Sequence, residues 1–128
     1  MSECGQVSAG GIYVHIPFCE SKCGYCAFNS RPLPEGVPAR VPAEYVSALL
    51  LDIEREAARW RPNRFGSVYF GGGTPSLLSP RQVESIMKSL SRHYRIEEGV
   101  EVTIECNPGS IDSDRALAYR DLGVNRIS

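Results

Sequence analysis

Ile12, Val14 and Ile16 alternate with Tyr13 and His15, a period of two that predicts a short β-strand ending at Pro17. Val46, Leu49, Leu50, Ile53, Ala57 and Trp60 recur at helical spacing and predict an amphipathic helix over residues 43–60. Ser67-Val-Tyr-Phe70 is a short buried-strand pattern that runs straight into Gly71-Gly-Gly-Thr-Pro75. Ser79 with Gln82 makes a capping box, Pro80 suits the first helical position, and Val83, Ile86, Met87, Leu90 and Tyr94 share one face of the helix that follows. Val100-Glu-Val-Thr-Ile-Glu105 predicts a third strand, closed by Asn107-Pro-Gly109. Asp112 caps a short helix ending at Gly123, and residues 124–128 begin a fourth strand. Residues 31–42 contain four prolines and predict an extended connector. Residues 1–10, small and polar, are expected to form a disordered tail.

The order β-loop-α-β-α-β-α-β predicts an α/β fold, a parallel sheet with right-handed helical crossovers. In such sheets and barrels chemistry collects at the carboxyl ends of the strands. Three unusual segments fall on that rim: a cysteine loop after strand one, the glycine run after strand two, and Glu105 at the end of strand three. A chain that stops within a strand leaves an edge without a neighbour, and parallel strands are normally covered on both sides. Residues 11–128 are therefore expected to be the N-terminal part of a longer domain.

Composition narrows the classes. At 128 residues, 42% hydrophobic and 23% charged, the chain is large enough to bury a core and ordinary for a soluble domain. A net charge of -1 offers no footprint for nucleic acid. No apolar run approaches the ~20 residues of a membrane span, and the N-terminus lacks the pattern of a secretory signal. A reducing cytoplasm is the expected setting, where clustered cysteines bind metals or do redox work more often than they form disulfides. Cys19, Cys23 and Cys26 form the cluster; Cys4 in the tail and Cys106 at a strand end read as bystanders.

In Cys19-Glu-Ser-Lys-Cys23-Gly-Tyr-Cys26 the spacing lets three thiolates converge on one inorganic centre from a single loop. An iron–sulfur cube normally takes four cysteines, so three leave one iron open to a reactive ligand. A structural zinc site with His15 as fourth ligand is the alternative, since three cysteines and a histidine are a known zinc set. His15 lies only four residues before Cys19, across Pro17, which makes that geometry awkward. Taken alone, the glycine run reads as a turn and Glu105 as a solvated strand end; their positions relative to the cysteine loop raise both.

Tyr13-Val-His-Ile-Pro-Phe-Cys19 with Cys23 and Cys26 resembles the cluster motif of the radical S-adenosylmethionine (SAM) enzymes. More narrowly, Gly71-Gly-Gly-Thr-Pro-Ser76, Glu105-Cys-Asn-Pro108 and Asn125-Arg-Ile-Ser128 are similar to later motifs of the oxygen-independent coproporphyrinogen III oxidase group. The resemblance runs from about Gly11 to the C-terminus. It implies the N-terminal part of a partial (β/α) barrel with a [4Fe–4S] cluster on Cys19, Cys23 and Cys26 at its open top. It further implies that SAM chelates the free iron and is cleaved reductively to methionine and a 5'-deoxyadenosyl radical. Tyr13 and Tyr25 match positions that contact SAM, and Gly72, Gly73 and Thr74 lie in the run that binds its methionine end. Glu105 matches a carboxylate that also holds SAM.

One departure directs the reading further. The oxidases carry another cysteine two positions after the third ligand, where this chain has Phe28. Phenylalanine there resembles the oxidase-like branch known as heme chaperones, which bind heme and pass it to acceptor proteins. That resemblance implies SAM, heme or a porphyrinogen, an electron-donor protein and heme acceptors as partners. The heme-binding segment is expected beyond residue 128, and His93, on a polar helix face, is a poor substitute for it. An oxidase or another radical SAM enzyme, and a zinc-stabilised binding module, are the competing readings.

Overall fold

The computed structural model describes residues 10–19, 31–32, 40–107 and 111–128. Its frame is a four-stranded parallel sheet in the order β1-β4-β5-β6, formed by β1 (Gly10–Ile16), β4 (Arg64–Gly72), β5 (Arg95–Ile104) and β6 (Arg126–Ile127). Helix α1 (Ala43–Trp60) connects β1 to β4, α2 (Pro80–His93) connects β4 to β5, and α3 (Ser113–Asp121) connects β5 to β6. Within this sheet each strand lies beside the one that follows it in chain order, and every pair is parallel and joined by a helical crossover.

Register shows why the sheet has two unlike faces. Val14 pairs with Phe70 and Phe70 with Ile104, while Val68 pairs with Val102. These residues share one face and join Val46, Ile53, Val83, Ile86, Leu90 and Tyr119 from the helices in a single core. Burying each such side chain contributes about 1.5–3 kcal/mol. The other set, Tyr13, Tyr69, Thr103 and Arg126, crosses all four strands in one row. Tyr13 in that row is 58% exposed. Among the described residues the helices pack on the first face, and the second is polar and aromatic, open at Tyr13 and Arg126 on the outer strands and buried at Thr103.

Local chemistry fixes the helix ends. The Ser79 hydroxyl accepts from the Gln82 amide at 3.1 Å and the Gln82 side chain accepts from the Ser79 amide at 2.9 Å, the expected capping box. Asp112 accepts from the Arg115 amide at 2.8 Å and starts α3. Gly123, at φ +106, lets the chain turn from α3 toward β6.

Several boundaries differ from the sequence pattern. Gly10 belongs to β1, where it pairs with Phe65, rather than to a tail; residues 1–9 lie outside the described set. β5 begins at Arg95, because Arg95 and Ile96 pair with Arg64 and Phe65 ahead of a register shift. Charged Glu97 and Glu98 and Gly99 hide that start from a hydrophobicity pattern. Tyr94 follows α2 in extended conformation instead of sharing its face, placing its ring edge-on to Phe65 and its hydroxyl 2.9 Å from the Ile53 carbonyl. In the proline-rich connector, β3 (Arg31–Pro32) pairs in parallel with β2 (Phe18–Cys19). No helix among the described residues is long and apolar enough to cross a membrane.

Candidate functional site at the strand ends

At the carboxyl end of β1 the chain passes Pro17 and enters β2 with Cys19 buried. Two carbonyls there hold the segment that follows β4: Ile16 accepts from the Gly73 amide at 2.8 Å and Phe18 from the Thr74 amide at 2.6 Å. Helix α1 braces the same point, since the Tyr45 hydroxyl donates to the His15 carbonyl and its ring meets Phe18 edge-on at 5.2 Å. The two segments touch too closely for side chains. A Cβ on Gly73 would stand 2.6 Å from the Phe18 carbonyl oxygen and 2.9 Å from Cys19 Sγ. Gly72 has φ +124, a conformation that strains any L side chain. The glycines therefore bring the backbone after β4 directly against Cys19.

Glu105 follows β5, and its amide donates to the Phe70 carbonyl at 3.0 Å, which extends the ladder by one rung. Its carboxylate turns toward β4. Oε2 accepts from the Tyr69 hydroxyl at 2.7 Å and Oε1 from the Gly72 amide at 3.1 Å. The bond to Glu105 raises the Tyr69 pKa above the ordinary phenol value against an opposing hydrogen bond with Ser128, with burial and the carboxylate's charge adding to the rise. Tyr13 stacks on Tyr69 with ring centres 6.0 Å apart and planes 17° apart. Burial, then the charge of Glu105, pushes its phenol up as well. Tyr13 Oη lies 3.2 Å from His15 Nδ1, so the row from His15 to Glu105 is one connected polar wall.

Beyond Thr74 the chain makes a short 3₁₀ turn, Pro75–Leu77, that is fully buried. Helix α3 grips it. The Arg115 Nη1 donates to the Ser76 carbonyl at 2.7 Å and the Leu78 carbonyl at 3.3 Å, and the Tyr119 hydroxyl is shared between the same two carbonyls. Desolvation pushes the Tyr119 pKa up to about 12, with Arg115 opposing it.

Six of the residues singled out from the sequence, Tyr13, Cys19, Gly72, Gly73, Thr74 and Glu105, meet at this one rim. Tyr25, Cys23 and Cys26 lie outside the described residues. The glycine run behaves differently from a simple anion-binding loop. The amides of Gly72, Gly73 and Thr74 donate to Glu105, Ile16 and Phe18. Its close packing serves the joint with β1 and β2. Tyr69, Arg115 and Tyr119 also build the site, although they belong to no sequence motif. For Tyr69 a signal existed: it is two residues before Gly71, and period two places both on the open face. Arg115 and Tyr119 carry no comparable mark, since their carbonyl partners are set by tertiary packing.

Among the described residues no group of three or more His, Cys, Asp or Glu side chains is placed to hold a metal ion, and Cys19 is the described member of the cysteine motif. A buried sulfur stands against the glycine run, and a carboxylate anchors that run from the other side. Comparison with known proteins identifies the family. The model of the radical SAM superfamily matches residues 13–128. The heme chaperone HemW of Escherichia coli is 38% identical over 117 residues, covering 91% of this chain and 30% of that protein. The mitochondrial radical S-adenosyl methionine domain-containing protein 1 of Bos taurus is likewise 38% identical over 117 residues, covering 91% of this chain and 26% of that protein. The solved structure of coproporphyrinogen III oxidase (HemN) from Escherichia coli, titled as a radical SAM enzyme, superposes with a TM-score of 0.81 at 30% identity, over 93% of this chain and 27% of that one. The chain thus spans about 30% of the length of its E. coli HemW relative. With a superfamily match across nearly its whole length and a parallel β/α frame that overlays HemN, the chain belongs to the radical SAM superfamily, among its HemW- and HemN-like members.

Proposed function

We propose that this chain forms the cluster- and SAM-binding part of a heme chaperone. Members of the superfamily use SAM with a [4Fe–4S] cluster, and in this chain Cys19, Cys23 and Cys26 would hold the cluster. When bound, the cluster supplies the electron for reductive cleavage of SAM. The protein's own part is to bind, orient and shield. Glu105 would accept hydrogen bonds from a cationic ligand, a charge-assisted contact. Gly72 and Gly73, whose amides are committed within the protein, would lie against the methionine end of SAM. Thr74 closes the run, and Tyr13 and Tyr25 would supply flat apolar contact.

The observation that supports this reading most strongly is the joint between Cys19 and Gly73, tied through Gly72 to Glu105. Phe28 in place of a fourth nearby cysteine, and the similarity to HemW, favour the chaperone over the oxidase. Heme, its acceptor proteins and an electron donor are partners of the whole protein on this reading, with the cytoplasm as its setting. The test titrates the anaerobic full-length protein with hemin and assays it with coproporphyrinogen III. The expected result is stable stoichiometric heme binding without decarboxylation. Catalytic decarboxylation, or failure to retain heme on gel filtration, overturns the chaperone reading.

A further inference from the structure

We propose that Tyr69 is a positioning residue for the SAM site, acting through Glu105. The proposal rests on the reading of Glu105 as a SAM contact. A glutamate just past a strand end swings about three side-chain bonds, and fixing it costs conformational entropy whenever a ligand must do so. Here β4 does so in advance. Tyr69 holds Oε2 from the strand and Gly72 holds Oε1 from the turn, at 2.7 and 3.1 Å. Donors on opposite oxygens fix both the position and the plane of the carboxylate. An ionised carboxylate offers about four acceptor positions, so roughly two stay directed outward for a ligand.

The Tyr69 ring is itself held, stacked on Tyr13 in the row that crosses the open face. Tyr13, Tyr69 and Glu105 thus form one unit, in which Tyr69 links an aromatic wall to an anionic end. Such preorganisation raises affinity by removing an ordering cost at binding. Phenylalanine at position 69 keeps the ring and its stack and deletes only the hydroxyl, leaving the carboxylate on a single donor.

The test measures SAM binding by equilibrium dialysis of the full chain, reconstituted anaerobically with iron and sulfide and without reductant, so that no turnover contributes. The variants are Tyr69→Phe, Glu105→Ala and the pair combined. Glu105→Ala is expected to weaken binding about tenfold or more, and Tyr69→Phe about fivefold. In the Glu105→Ala background, Tyr69→Phe is expected to change the affinity less than about twofold, because its partner is gone. A Tyr69→Phe variant that binds SAM as the parent does overturns the proposal. So does one that loses the same factor in both backgrounds, since that pattern belongs to a merely structural role. If the parent chain binds no SAM, or Glu105→Ala binds it undiminished, the reading of Glu105 as a SAM contact fails, and the role of Tyr69 falls with it.

Discussion

Replacing Gly73 with alanine is expected to destabilise the chain by about 2–4 kcal/mol and to remove most iron uptake by the cysteine loop. The added Cβ would enter space held by the Phe18 carbonyl at 2.6 Å and by Cys19 Sγ at 2.9 Å. Backbone cannot yield as a flexible side-chain tip does, so β2 must move off the turn. That movement strains or breaks the bonds from the Gly73 and Thr74 amides to Ile16 and Phe18. It also carries Cys19 away from the position it shares with the glycine run. Gly10→Ala is the control, because a Cβ there meets the Phe65 ring at an ordinary 3.4 Å. It is expected to stay within about 1 kcal/mol of the parent. Urea unfolding and iron content of the reconstituted chain check both arms. A Gly73→Ala chain with parental stability and full iron would remove the argument for close approach.

Tyr119→Ala is expected to cost about 3–5 kcal/mol, the range for truncating a buried aromatic. Tyr119 is 1% exposed, and its hydroxyl serves the carbonyls of Ser76, within the turn after the glycine run, and Leu78, just past it. Tyr119→Phe is expected to cost less, about 1–2 kcal/mol, because Arg115 still donates to both carbonyls. The phenol also leaves a signature in pH. Its folded pKa of about 12 lies above the unfolded value of 10.0. Below the unfolded value both states keep the proton, and the full stabilisation is present. As pH rises through this interval the unfolded chain ionises first, and stability falls, by an order of 2–3 kcal/mol for this group alone. Unfolding at pH 9 and pH 11 should therefore show a larger alkaline loss in the parent than in Tyr119→Phe. Equal losses in the two would show that Tyr119 does not resist ionisation in the fold.

These two residues mark what sequence carries and what it does not. Gly73 stood out because three consecutive glycines after an apolar strand have a local cause, and the period of Val68 and Phe70 set which face the strand buried. The rim itself followed from element order, since parallel strands place all their carboxyl ends on one side. Helix α1, with bounds at 43 and 60, was legible because its apolar stripe is long and undisturbed. The Ser79 cap was legible because a capping box is a local motif. β2 and β3 are two residues each and exist only through pairing with one another, so periodicity has nothing to register. The period of two puts Tyr69 on the face opposite Val68 and Phe70, but its bond to Glu105 depends on the ladder that sets Tyr13, Tyr69 and Thr103 side by side. The grip of Arg115 and Tyr119 on the turn joins positions about 40 apart in the chain, which no window along the sequence contains.

The most direct measurement is the electron paramagnetic resonance of the reduced, anaerobically reconstituted chain with and without SAM, beside its iron and sulfide content. With three sulfur donors and one iron left for the ligand, about four irons per chain are expected. SAM should then change the spectrum, and alanine at Cys19, Cys23 or Cys26 should abolish it. A spectrum indifferent to saturating SAM, or undiminished iron after loss of any one of the three cysteines, would contradict the assignment.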